Sequence, residues 1–318
     1  MRLFNRNIKV LAWQPEGRVP RVSVGTATAG AGLYATDEIA GTAQQTPDNG
    51  IVITEHQMKF KIDKTLQRSP NTCELTITNL APTTRSFFQA ADVTVELQVG
   101  YDGELLTLFK GGVRWCRSTH EGTEYTTTMQ LGDGERNYSL SRVNRSYKEH
   151  TPVLTVLKDV AQSMGLKLPT EVVVDSDLSN QFATGAVLSG KSRDELSRLL
   201  KPYGYEWSIQ DGVLVVLKDV HVTNKNDPWP VGEAHGMIGS PAFGPPSAIR
   251  ILKSGKTGKV KPPSMTVSNQ LYPQINPGGS IRLTSRDTNK GDFKVKQVRH
   301  EGDTHGKTWK TDIETVSL

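Results

Sequence analysis

Cysteine is nearly absent, with two in 318 residues. Cys73 and Cys116 both fall where apolar and polar residues alternate, a setting in which a thiol behaves as a small buried hydrophobe, so no disulfide framework is expected. Aromatic residues are also scarce at 7%, and the 5 tryptophans are too scattered to form a platform for carbohydrate. No run approaches the roughly 20 apolar residues that a membrane-spanning helix needs. The opening stretch, MRLFNRNIKVLAWQPEGRVP, lacks the apolar centre of a signal peptide. The expectation is a protein that inserts in no membrane and stays where it is made until it is assembled or released.

A phosphate loop is missing as well. The glycines of the segment from Gly25 to Gly50, GTATAGAGLYATDEIAGTAQQTPDNG, are not followed by Gly-Lys-Ser/Thr and do not join a strand to a helix. Its small side chains bury too little apolar area to offset their own ordering, so a long loop or an arm ordered by a partner is expected there.

Charge gives only weak direction. The net charge of +5 permits an acidic partner but does not by itself indicate nucleic acid. Lys253, Lys256, Lys259 and Lys261, in ILKSGKTGKVKPP, form a basic loop without interleaved aromatics. A solvated loop accounts for them; an interface or lumen contact with an acidic surface or with passing DNA is the functional alternative.

What the chain does have is strand alternation. Met58, Phe60 and Ile62 alternate with charged residues; Cys73, Leu75 and Ile77 alternate with Glu and Thr; Val93, Val95, Leu97 and Val99 alternate with polar residues. Pro70-Asn71, Asn79 to Pro82 and Gly100-Tyr101-Asp102-Gly103 punctuate the pattern. Residues 7 to 13, 21 to 24, 113 to 117 and 125 to 131 read as further strands, and Asp133-Gly134 closes the block. With 29 Gly and 17 Pro, the chain reads as turn-rich and β-dominated, and the spacing favours an antiparallel sandwich or barrel.

At Thr151 the period changes to that of a helix. Thr151 can cap it, Pro152 suits its first position, Val153, Leu154, Val156, Leu157, Val160, Ala161 and Met164 line one side, and Gly165 supplies the stop. Ser192-Arg193-Asp194-Glu195 has the form of a capping box ahead of Leu196, Leu199 and Leu200. Tyr205, Trp207 and Ile209 then alternate up to Asp211-Gly212, a type I′ hairpin signal, and 213 to 217 return. A Pro/Gly-rich link, 227 to 246, precedes a closing β-block: strands at 248 to 252, 265 to 267 and 280 to 284, then a hairpin pairing 293 to 300 with 308 to 316. Three domains are expected: 1–150, β-rich with the 25–50 loop; 151–220, α+β; and 221–318, β-rich.

No catalytic constellation stands out. His300, Asp303 and His305 in RHEGDTHGKTW have metal-ligating chemistry, but they occupy a hairpin turn that Gly302, Asp303 and Gly306 suffice to explain. Cys116 and His120 lie four apart on a strand without an orienting third residue. Asp102 with Glu104 sits in a turn, and Asp194 with Glu195 in the capping box, so both carboxylate pairs have structural roles. No metal, cofactor or catalytic residue is assigned.

The order of these features resembles a family. Phe60-Lys61-Ile62, Pro70-Asn71, Leu75 to Leu80, Val99-Gly100-Tyr101 and Phe109 to Gly112 are similar to the opening β-domain of baseplate hub proteins from contractile-tailed bacteriophages, the late control protein D-like group. The helix, strand, helix and Tyr-Gly-Tyr-Glu-Trp hairpin of 151 to 217 resemble their middle domain. Asn276-Pro277-Gly278 and His300 to Gly306 resemble their closing barrel. The hub domains of type VI secretion spikes share this fold.

The resemblance implies two tail-tube-like antiparallel β-barrel domains flanking a helix-strand-helix-hairpin module. It implies a homotrimer that presents a pseudo-sixfold face to the hexameric tail tube or tube initiator and another face to a central spike. Adjacent baseplate subunits would be further partners, and DNA would be met only in transit through the lumen. The place implied is the virion tail baseplate, assembled in the host bacterial cytoplasm. A tail-associated cell-wall hydrolase, tested by changing Cys116 or His120, is the enzymatic alternative.

Overall fold

The computed structural model describes residues 6–14, 50–166, 184–218, 221–224, 226–244, 264–286 and 291–318. The chain divides into two compact units. Residues 1–62, 72–135 and 301–308 form the first, and 63–71, 136–300 and 309–318 the second. The expected strands at 21–24 and 248–252, residues 25–49 of the glycine-rich loop, and Lys253, Lys256, Lys259 and Lys261 lie outside the described residues.

In the first unit the alternation becomes strands β1 (Arg6–Trp13), β2 (Ile51–Ile53), β3 (Met58–Thr65), β4 (Thr72–Thr78), β5 (Thr94–Tyr101), β6 (Glu104–Glu121) and β7 (Glu124–Gly132). Their lateral order is β3, β4, β7, β6, β5, β1, β2. The pairs β4–β7, β6–β7, β5–β6, β1–β5 and β1–β2 are all antiparallel. The side chains that alternate inward, Met58, Phe60, Ile62, Cys73, Leu75, Ile77, Val95, Leu97 and Val99, are all buried. Along β3 and β4 one face of the sheet is thus the core and the other is wet, whereas on β1 and β5 Leu11 and Gln98 of the opposite face are buried as well.

Helix α1 (Pro82–Phe88) follows the turn at Asn79 and is absent from the sequence reading. Only Thr84 and Phe88 are buried on it, one turn apart, and seven residues are too few to display a helical period. The turn after β5 has φ of 50° at Asp102 and 87° at Gly103, as a type I′ hairpin requires. A bulge between Leu97 and Gln98 lets the consecutive residues Leu108 and Phe109 both be buried, which strict alternation forbids.

The second unit opens with β8 (Arg142–Tyr147), preceded by α2 (Glu135–Leu140). It continues with α3 (Val153–Ser163), β9 (Ala186–Lys191), α4 (Ser192–Leu200), and the hairpin β10 (Tyr205–Gln210) and β11 (Val213–Lys218). Asp211 and Gly212, at φ of 53° and 81°, form the expected I′ turn. Val153, Val156, Leu157, Val160 and Ala161 pack with Leu196, Leu200, Trp207 and Ile209 in one apolar cluster. β8 pairs with β9 along six residues, so this α+β region draws in residues before Thr151.

The helix starts differ from expectation. Thr151 donates its hydroxyl back to the carbonyl of Lys148 at 2.8 Å, and Pro152 takes the cap position of α3. The capping box at Ser192 does not form. Ser192 is buried with its hydroxyl 2.9 Å from that of Ser163, and Glu195 accepts from Arg198 instead. In both places a tertiary or neighbouring partner outcompetes the local cap.

The Pro/Gly-rich stretch is more than a link. It contains β12 (Trp229–Gly232) and β13 (Met237–Phe243). β12 pairs in parallel with β15 (Ser280–Thr284), and β13 pairs antiparallel with β14 (Ser264–Gln270) across a bulge that holds Pro241. Proline at an edge strand and at a bulge is compatible with a sheet. β16 (Gly291–Asp303) and β17 (Trp309–Ser317) form the closing hairpin. Val231, Met265, Val267, Ile281, Leu283, Val295 and Ile313 make this block's own core. Among the described residues no pairing closes the strands into a barrel, and the path of paired strands ends on β2 and on β13.

Candidate functional site

The most unusual chemistry lies inside the second unit. Lys64 occupies an inward position of β3, continuing Met58, Phe60 and Ile62, and its side chain is wholly buried. Its ammonium donates to Asp211 at 2.6 Å and to Asn276 Oδ1 at 2.9 Å. Asn71, also buried, accepts from the backbone N–H of Thr65 and donates to the carbonyl of Ile209 and to Gln210 Oε1. Gln210 returns a bond to the carbonyl of Thr65. The end of β3 and its loop are therefore stitched to the β10–β11 hairpin by groups whose donors are met inside the fold. A buried charge is tolerated only when paired in this way.

His300 lies in the same unit, fully buried, with Nδ1 2.9 Å from the Thr311 hydroxyl. Desolvation, reinforced by the Lys64 charge, pushes its pKa well below 6.5, although the Ile275 backbone opposes the shift. It is a neutral core imidazole.

The other residues singled out from the sequence separate. Asp303 accepts from the backbone N–H groups of His305 and Gly306, both at 2.9 Å, which is an Asx turn. Burial raises its pKa, but those two bonds and Lys59 outweigh it and hold the carboxyl below its ordinary value. His305 is exposed, its Nδ1 beside the Thr304 hydroxyl. Among the described residues, no group of three His, Cys, Asp or Glu side chains is arranged to hold a metal. Cys116 is half-buried, and desolvation raises its pKa, the reverse of what a thiolate nucleophile needs. His120 stacks on Tyr125 at 4.2 Å. Asp102 shapes its turn, Glu104 pairs in register with Tyr101, and Asp194 lies near Arg193.

What the first unit displays is surface. On the wet face of the sheet, cross-strand rows run Glu74–Gln130–Trp115, Thr76–Thr128–Arg117 and Thr78–Thr126–Thr119. Hydroxyls of Thr76 and Thr128 meet at 3.3 Å, and the exposed Trp115 is held by Nε1–H donation to Gln130. The Arg85 guanidinium lies 4.1 Å from the centre of the Tyr125 ring. Two flat groups this close to one ring take its two faces, giving an Arg85–Tyr125–His120 stack that ties α1 to the β6–β7 hairpin. Lys59 pairs with Asp303 and Lys61 with Glu301 on the same unit. The sequence reading missed Trp115, Tyr125 and Lys64 as special. Strand parity could have exposed Lys64 as a charge in a core position.

These observations describe a β-rich protein that offers strand faces and uses the buried charge of Lys64 to hold its own fold. The model of the Baseplate hub gp41 family matches residues 42–244, and the chain belongs to that family, with a structural role in the phage tail baseplate. No curated protein matches the chain. Among solved structures, the 43 kDa tail protein of prophage MuSo2 from Shewanella oneidensis is 12% identical, with a TM-score of 0.56 over 84% of this chain and 94% of that one. The tail protein from Neisseria meningitidis MC58 is 10% identical, with a TM-score of 0.58 over 84% and 93%. An E. coli component of the type VI secretion system, described as similar to the T4 bacteriophage tail proteins gp27 and gp5, is 13% identical, with a TM-score of 0.54 over 83% and 75%. At these identities the likeness is one of fold.

Proposed function

We propose that the chain is the homotrimeric hub of a phage tail baseplate, joining a hexameric tail tube to a central spike and lining the channel between them. In this reading three copies close a ring. Each copy contributes two tube-like β-domains around the α+β region, so three chains meet a sixfold tube. Closure by rotation uses the broad strand faces without open-ended growth. The family match over residues 42–244 carries the reading, and the fold likeness, which extends beyond that segment, supports it. Adjacent baseplate subunits, and DNA in transit, are the other contacts of such a hub, and the virion tail is its place. Whether Lys253, Lys256, Lys259 and Lys261 face the lumen belongs to the same proposal. Light scattering on the purified chain tests it: the expected mass is that of three chains, and a strict monomer at micromolar concentration contradicts it.

A further inference from the structure

In the second unit, β8 and β9 form a sheet of their own with only two strands. A two-stranded ribbon is marginal unless a face is covered, and here one face is: Val143 and Leu188 on it are buried in the cluster formed with α3 and α4. The opposite face carries Arg142, Asn144, Ser146, Val187, Ser189 and Lys191, and every one of them is exposed. Val187, near the start of β9, is 62% exposed although β-branched residues in strands usually pack against neighbours.

Register places Arg142 directly opposite Lys191. Like charges in that position destabilise a sheet, and among the described residues neither makes an ion pair with an acidic side chain. The two outer edges also differ. The Arg198 guanidinium donates to the carbonyl of Val187 at 2.7 Å, blocking the edge of β9. Along β8 no backbone partner other than β9 is found among the described residues.

We propose that this exposed face and the outer edge of β8 receive an extended acidic segment of a neighbouring protein. The segment adds as a third strand beside β8 and sets a carboxylate next to Arg142. Backbone bonds supply affinity and the carboxylate supplies selectivity, as in other strand additions. The repulsion in the free protein is relieved on binding, which makes the site selective for negative charge. The inference goes beyond the hub reading and does not depend on ring stoichiometry.

The test uses the full chain and two labelled peptides, one alternating glutamate with valine and one alternating lysine with valine, followed by fluorescence anisotropy at low and high salt. The glutamate peptide is expected to bind and to weaken with salt, while the lysine peptide does not bind. Arg142→Ser should weaken the glutamate peptide about tenfold, the loss of one good charge pair. Without peptide, the same variant should melt no lower than the wild type, because it removes a repulsion. Binding should slow amide exchange along β8, which a contact through charge alone does not do. Equal binding of both peptides, no binding of either, or full binding to Arg142→Ser overturns the proposal. So does tighter binding of random-sequence duplex DNA through Arg142, or self-association of the chain that Arg142→Ser abolishes, since these put a nucleic acid or a second copy on the ribbon. A chain that forms the ring and ignores the peptide refutes this inference alone.

Discussion

Lys64 is the residue on which the second unit most depends. Asp211→Asn keeps the hairpin turn and its left-handed backbone but leaves a wholly buried ammonium without its counter-charge. The cost should be about 3 kcal/mol, at the lower end for a broken buried pair because the Asp211 side chain is 22% exposed. Lys64→Met in the same chain should recover most of that loss, as a denaturation midpoint series would show; a neutral Asp211→Asn would contradict the reading. His300 gives a pH signature. Its folded pKa is depressed, so below its ordinary value of 6.5 the unfolded chain binds a proton that the folded chain refuses. Stability should therefore fall as pH drops below about 6.5, by up to about 1.4 kcal/mol per pH unit until the depressed folded value is reached, and be unaffected by this group above that range. His300→Gln should flatten this acid limb. These two residues also show where sequence reasoning stops. In the sequence His300 reads as a turn histidine with ligand chemistry, and Lys64 draws no reading of its own. Only parity carried into three dimensions separates Lys64, facing the core, from Lys59 and Lys61, facing solvent.

Elements with a clean period were legible. The alternation of β3, β4 and β5, the apolar face of α3, and the Asp211-Gly212 turn follow from side-chain direction and backbone φ alone, with no need of long-range information. What failed depends on partners distant in sequence. The caps at Thr151 and Ser192 yielded to other bonds, α1 was too short to show a period, and β12 and β13 were hidden by Gly and Pro, which edge and bulge positions accept. Candidate surfaces were less legible still, because exposure of Trp115 or Val187 is a property of the packed sheet. The β5–β6 hairpin offers a test at this scale. A Cβ on Gly100 would lie 1.7 Å from the carbonyl oxygen of Glu104, whereas one on Gly103 meets nothing within 4 Å. Gly100→Ala should force the strands apart and abolish soluble protein. Gly103→Ala, at φ of 87°, should cost only about 1 kcal/mol. Similar yields and melting temperatures for the two would show that the close approach does not limit this hairpin.

At the scale of the whole molecule, the chain reads as a part made to be joined. Its strongest internal interactions hold its own strands and hairpins, while wet threonine rows, an anchored tryptophan and the exposed face of the β8–β9 ribbon are left outward. The family assignment places such a part in the tail baseplate. Ring closure is the central claim of the proposed function, and imaging of intact tail particles carrying this chain tests it most directly. The account predicts three copies in one closed ring, coaxial with the tube on one side and the spike on the other. One copy, six copies, or a position away from the channel axis would contradict it.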